Sequence, residues 1–401
     1  MLEQTPKKQY KPIFNRTYLK YLGFVVAIAI IFLSEKAPQP IAQIMQLENS
    51  AINLGILQVD SEHPARLFLS FSSTPALSLD AKTNRQLMYQ SLNKAAVDIP
   101  QVDSILWTQD RLEIEFRWQQ DKTLQISQIL SQLKHNSRSF NTEKNRKLIA
   151  AQLYLKNQTP DNAALQILDT RFSRNLVNND NLQQILNSSP KALLITSLEH
   201  TDPQLKELDL QLSKLFHGPA TKLMTNIEWQ PFEETLRHRN TMYQLLIATQ
   251  LGPINNERNA LELISTFTLG ELLKSTASEF AINYRLLRKP ILKHGYQALL
   301  IDSEHILTSE SLSKIIQHIN RQSIDKALAL VKNRLVDHYN TLSHNPDRLF
   351  KLYSKKYFYG LSTQSSSEYE AQLDTITPES IRNHINTILG ENAIFIRLQP
   401  S

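Results

Sequence analysis

The chain has 401 residues, 41% hydrophobic and 20% charged, which excludes a disordered or collagen-like protein and suggests two to three domains at about 100–200 residues each. It has no cysteine, so disulfide frameworks, thiolate zinc, iron–sulfur clusters and cysteine nucleophiles are excluded, and its eight glycines stand too far apart to form a phosphate-cradling loop. The net charge is +6, but Lys7, Lys8, Lys11, Arg16 and Lys20 against Glu3 give residues 1–20 a net +4 and leave +2 for the other 381 residues. That distribution offers no basic face for phosphates, so no nucleic-acid partner is expected.

Residues 1–17 read as a basic cytoplasmic segment. Residues 21–33 are uncharged and apolar, and with their flanks, residues 18–34, they predict one transmembrane signal anchor if Lys20 reaches the interface. A signal-peptide core would also fit this length, but Glu35, Lys36, Pro38 and Pro40 follow with no small-residue cleavage site, which favours an uncleaved anchor. The positive charge before the apolar stretch places the remainder of the chain outside the cytoplasmic membrane. Residues 35–64 read as a linker.

From about residue 65, short runs of β pattern alternate with helical ones. Residues 66–72, 112–118 and 192–197 predict strands, and 80–96, 124–133, 142–156 and 203–216 predict amphipathic helices. The second half repeats the layout, with strands at 242–249, 296–301 and 393–398 and helices at 257–274, 309–319 and 324–342. Pro160-Asp161 after one helix has a twin in Pro346-Asp347 after another, 186 residues on, and the polar connections upstream recur at nearly the same spacing. The expected fold is α+β, with two homologous lobes at 65–218 and 241–401, each an antiparallel-rich sheet covered on one face by helices, joined by a linker at 219–240.

Three segments in this order carry a family resemblance. Residues 140–152, Phe-Asn-Thr-Glu-Lys-Asn-Arg-Lys-Leu-Ile-Ala-Ala-Gln, come first. Residues 191–205, Lys-Ala-Leu-Leu-Ile-Thr-Ser-Leu-Glu-His-Thr-Asp-Pro-Gln-Leu, follow. Tyr284-Arg-Leu-Leu-Arg288 with His294-Gly-Tyr296 comes last. From about residue 65 to 399 the chain resembles the insulinase/pitrilysin-type zinc metallopeptidases and their relatives among processing peptidases and respiratory-complex core proteins. That family carries H-x-x-E-H on a first-lobe helix, two imidazoles for zinc with the Glu as general base, and a third ligand, a Glu, on a later helix. Here residues 80–94 contain neither His nor Glu. Glu62-His63, Glu199-His200 and Glu304-His305 each lack the upstream His, and Gln152 stands where the third ligand belongs. Ligands and base are missing together, so no metal, no cofactor and no zinc hydrolysis are expected.

In active relatives an Arg and a Tyr of the second lobe donate hydrogen bonds to the peptide carbonyl; the matching pair is Arg288 and Tyr296, with one residue more between them than usual. The alternative for this pair is an Arg paired to a surface acid and a Tyr that starts a buried strand. Glu234 with His238, adjacent Asp337 and His338, and Trp107 and Trp118 read as surface contacts or sheet packing. The resemblance implies a membrane-anchored, extracytoplasmic pseudopeptidase, the non-catalytic partner of an active insulinase-family homologue, contributing peptide binding. A stand-alone peptide-binding or scaffold protein of the cell envelope and a cryptic hydrolase are the alternatives.

Overall fold

The computed structural model describes residues 44–401 except 48, 49, 51, 61, 62, 120, 121, 141, 174–180, 200, 201, 217–228, 240, 292–294 and 391. The expected anchor and cytoplasmic segment lie outside the described residues. Among those described, no helix is long and apolar enough to cross a membrane.

The strands are β1 Ile44–Gln46, β2 Asn53–Gln58, β3 Ala65–Ser72, β4 Val102–Trp107, β5 Arg111–Trp118, β6 Lys191–Thr196, β7 Glu233–His238, β8 Tyr243–Leu251, β9 Ile282–Lys289, β10 Gly295–Ser303 and β11 Ile394–Pro400. The helices of the first half are α1 Leu79–Ala96, α2 Ile126–Ser137, α3 Glu143–Asn157, α4 Pro160–Ser173, α5 Leu182–Asn187 and α6 Pro203–Leu215. Those of the second are α7 Asn256–Phe280, α8 Ser309–Arg321, α9 Ile324–Ser343, α10 Pro346–Tyr359, α11 Ser366–Asp374 and α12 Pro378–Leu389. They support two sheets in an α+β fold, in the orders β1-β2-β6-β3-β5-β4 and β7-β11-β8-β10-β9.

With the short β1 set aside, the two orders are the same. In each sheet the first strand of the half runs parallel to its last (β2 with β6, β7 with β11), and every other pair is antiparallel. The repeat seen in the sequence is therefore a repeat of topology. Two stretches expected to be linkers are partly strand. Residues 53–58 enter the first sheet because Leu54, Ile56 and Leu57 are buried beside β6, and a run buried on both faces lacks the alternation that marks an exposed strand. Residues 233–238 pair with β11 along the second sheet's edge.

Helices cover both faces of each sheet, not one. On β3, Leu67, Leu69 and Phe71 join Leu112, Ile114 and Phe116 of β5 in a core closed by Leu92 of α1, Leu130 of α2, Ile185 of α5 and Leu212 of α6. In the second sheet, Leu245, Ile247, Leu299 and Ile301 face α7, α8, α9 and α12 through Ile264, Ile315, Leu328 and Ile385. The opposite face of the second sheet, with Leu246, Tyr296, Ala298, Leu300 and Ile396, is covered by Ala163, Ala164, Leu168 and Phe172 of α4, a helix of the other half. Reciprocally, α10 lies across β3 and β6 of the first sheet. The two helices that begin at the twin Pro-Asp dipeptides are thus exchanged between the halves.

The face under α10 combines apolar residues, Phe68, Leu193 and Ile195, with a polar network. Alternation on β3 and β5 turns Arg66, Ser70, Arg111, Glu113 and Glu115 toward the helix, and all five are nearly fully buried. Asp347, Lys351 and Ser354, at helical spacing on α10, meet them: Arg66 bridges Glu115 (3.0 Å) and Asp347, Lys351 reaches Glu115 (3.3 Å), and Ser354 donates to Glu113, which also pairs with Arg111 (2.9 Å). Local sequence fixes the helix ends. Asn345 caps the Arg348 N–H, Pro346 opens the first turn, and Gly360 ends the helix at φ 70°, where other residues are strained. Lys191 of β6 donates to the Phe358 carbonyl (2.8 Å), a cation at the negative end of the helix. Gly55 permits close approach, since a Cβ there would lie 2.8 Å from the Tyr357 ring.

If the exchanged helices hold the halves together, thinning the α4 contact should destabilise the whole unit. Leu168 is fully buried, and Leu168→Ala is expected to cost about 2–5 kcal/mol by the cavity left on the second sheet. Chemical unfolding followed by circular dichroism checks this.

Candidate functional site

Arg288 lies opposite Gln297 in the β9–β10 ladder, and Tyr296 lies opposite Lys289. Directly opposed residues share a face and neighbours along a strand do not, so Arg288 and Tyr296 point to opposite faces of the sheet. The two donors do not converge on one peptide carbonyl. The Arg288 guanidinium meets Glu262 Oε2 (2.9 Å) and Asn259 Oδ1 (3.0 Å) of α7. Tyr296 is 2% exposed, and its hydroxyl donates to Asp169 Oδ1 at 2.7 Å.

Asp169, on α4, is the centre of a cluster drawn from both halves of the chain. Its carboxylate receives Lys82 of α1 at 2.7 Å and Lys289 of β9 at 3.3 Å besides the Tyr296 hydroxyl, and the Lys289 ammonium stands 5.0 Å from the centre of the Tyr296 ring. Burial, and then the Asp169 charge, keeps the Tyr296 hydroxyl protonated far above its ordinary range. Burial lowers Lys289, an effect that Asp169 opposes and Lys82 reinforces. Chemically this is a clamp: two ammonium groups and a phenol converge on one carboxylate and tie α1, α4, β9 and β10 together.

Across the sheet, the Gln297 amide nitrogen lies 3.1 Å from His384 Nε2. An amide NH2 can only donate, so Nε2 accepts and the ring proton sits on Nδ1. Burial and then the charges of Arg288 and Arg258 hold His384 down to about 4, so the ring is neutral at neutral pH.

The fold raises the question of zinc. Where the resemblance places its ligands, α1 packs against α3 but carries no His and no Glu, and Gln152 of α3 is an exposed neutral amide. A carboxamide brings no charge to a divalent ion, so these residues do not fit zinc. Among the described residues, no three His, Asp or Glu side chains come close enough together to hold a metal ion. Glu234 and His238 lie on strand β7, where four residues span about 13 Å instead of one helical turn, and Glu234 pairs with Arg171 (2.9 Å). The Trp107 indole N–H donates to Ser73 Oγ (3.1 Å) and packs as expected of a sheet residue.

No family model matches the sequence, and no curated protein matches it. Solved structures do match. An inactive domain of an M16 peptidase from Pseudomonas fluorescens superposes with a TM-score of 0.65 at 13% identity, over 90% of this chain and 98% of that one. A chain of Complex III2 from Candida albicans gives 0.60 at 12% identity, over 89% and 95%. The periplasmic protease PqqL from Escherichia coli gives 0.55 at 11%, over 91% of this chain and 48% of its own. The chain therefore has the fold of the M16-like, insulinase-type peptidases, a fold that inactive domains also adopt.

Sequence reasoning did not find Asp169, Lys82 or Lys289. One signal existed: Asp169 directly follows Leu168 on the apolar stripe 163, 164, 168, 172 of α4, and a charge beside such a stripe needs a partner.

Two outcomes follow. Asp169→Asn leaves two ammonium groups without their carboxylate and is expected to cost about 3 kcal/mol, whereas Tyr296→Phe removes one hydrogen bond and should cost about 1 kcal/mol; urea unfolding of both variants separates them. For His384, the unfolded chain binds a proton near the ordinary value of about 6.5 and the folded chain only near 4. Between these values the unfolded state holds more protons, so stability falls by up to about 3 kcal/mol as pH drops from 6.5 to 4, then levels off. His384→Gln should flatten that part of the profile of Tm against pH.

Proposed function

We propose that this protein is a non-catalytic, extracytoplasmic subunit, anchored in the cytoplasmic membrane by residues 18–34, that partners an active zinc-bearing peptidase of the same fold and contributes peptide binding. One observation carries the reading: the α1–α3 pair keeps its place in the fold while every residue that would hold zinc or activate water is absent, with exposed Gln152 in place of the acid. Unpaired, such a chain has no means of zinc hydrolysis. The matched structures support the reading, since one is an inactive domain, another belongs to a multi-subunit complex, and a third is about twice the length of the region this chain matches. The charge asymmetry of residues 1–34 supports the orientation.

The test uses the full-length chain and an H-x-x-E-H-bearing homologue from the same cell. Alone, with zinc supplied, the chain should hydrolyse no peptide. Together the two should co-elute on gel filtration, and kcat/KM of the homologue should rise about tenfold or more. Hydrolysis by the chain alone, with one zinc bound, would overturn the proposal, as would a homologue indifferent to its presence.

A further inference from the structure

A cleft of about 530 Å³ opens on the first half of the molecule, away from the Asp169 cluster, between residues 98–101 ahead of β4, residues 117–119 at the end of β5, and residues 122–132 leading into α2. Its size falls within the range of small-molecule sites, about 300–1,000 Å³. Glutamine is the commonest residue of its lining. Gln101, Gln119, Gln125, Gln128 and Gln132 all face it, with Trp118 as an aromatic wall.

The sequence of α2 builds one side of the cleft. Ile126, Ile129, Leu130 and Leu133 are buried in the core and fix the rotation of the helix. That rotation leaves Gln125, Gln128 and Gln132, at helical spacing, as an exposed stripe along the rim. Among the described residues, no hydrogen bond within the chain engages any of the five carboxamides. The two sheet tryptophans also differ. Trp107 gives its indole N–H to Ser73, while the half-buried Trp118 makes no such bond among the described residues.

Charge decides the ligand class. Among the described residues, the ionised ones of the lining are Asp98, Arg117 and Lys122, and Arg117 lies 3.8 Å from Asp103, so they concentrate no field of either sign. A phosphate or carboxylate ligand would call for several unpaired cations. A carboxamide both donates and accepts, which matches hydroxyl groups that do the same, and the C–H face of a pyranose ring is apolar enough to lie on an indole. We propose that this cleft binds a neutral oligosaccharide, its hydroxyls held by the glutamine carboxamides and one ring stacked on Trp118.

The experiment titrates the full-length chain with maltotriose, with chitotriose and with uncharged N-acetylated tri-alanine amide. It follows the indole N–H resonances by NMR, with the Trp118 signal assigned by its loss in Trp118→Phe. A saturable shift of the Trp118 signal by at least one sugar is expected. The response to the two sugars distinguishes N-acetylated from plain glycans. Gln128→Ala/Gln132→Ala alters only exposed residues and should weaken binding about tenfold with Tm unchanged. The proposal is overturned if neither sugar shifts Trp118 saturably below about 10 mM, or if the double variant binds as well as the parent. A response to the N-acetylated tri-alanine amide alone would also overturn it.

Discussion

Both faces of each sheet must be kept from water, and in each the second face is covered by a helix supplied by the other half of the chain. This exchange of α4 and α10 is the constraint on which the rest depends. Strands β3 and β10 are buried nearly end to end, which a sheet covered on one side would not allow. Because each half completes the other, neither sheet keeps its second cover without its counterpart, and residues 43–401 form one compact unit.

Each exchanged helix combines apolar and polar contacts. Helix α4 docks through Ala163, Ala164, Leu168 and Phe172 on Leu246, Ala298 and Ile396, a non-directional interaction, and through buried Asp169 on Lys289 and Tyr296, a directional one. Helix α10 docks through its buried Phe350, Tyr353 and Phe358 and through polar contacts, exposed Asp347 and Lys351 against buried Arg66 and Glu115, and Ser354 against Glu113. Desolvation takes back much of the energy of such pairs, but they are directional. A slip of α10 along the sheet would break the contacts of Asp347, Lys351 and Ser354 while Arg66–Glu115 and Arg111–Glu113 stayed paired within the sheet, so these directional contacts favour one register of the helix.

Among the described residues, side chains alone fix the α1 region. The ends of α1 are set by Ser78 at its N-cap and by packing of Leu87 and Leu92, and Lys82 near its start is drawn to Asp169 on α4. The helix that carries the catalytic motif in relatives is here tied to the exchanged helix by an ion pair. Arg288 and Tyr296 likewise each have a partner inside the chain, Glu262 and Asp169.

The sequence determined what is periodic or local: most helices, the central strands, the duplicated layout, and the missing zinc ligands, since an absent motif can be read without coordinates. Residues 53–58 and 282–289 escaped it because buried or edge strands of mixed pattern carry little period-two signal. Sequence also placed Arg288 and Tyr296 together, whereas strand register, a property of pairing between distant segments, set them on opposite faces. Only tertiary structure could show the exchange of α4 and α10 or the convergence of Lys82, Asp169, Lys289 and Tyr296. These contacts join residues up to 304 positions apart, as with Asn53 and Tyr357, and such proximity is settled by packing of whole sheets and helices, not by any local pattern of side chains.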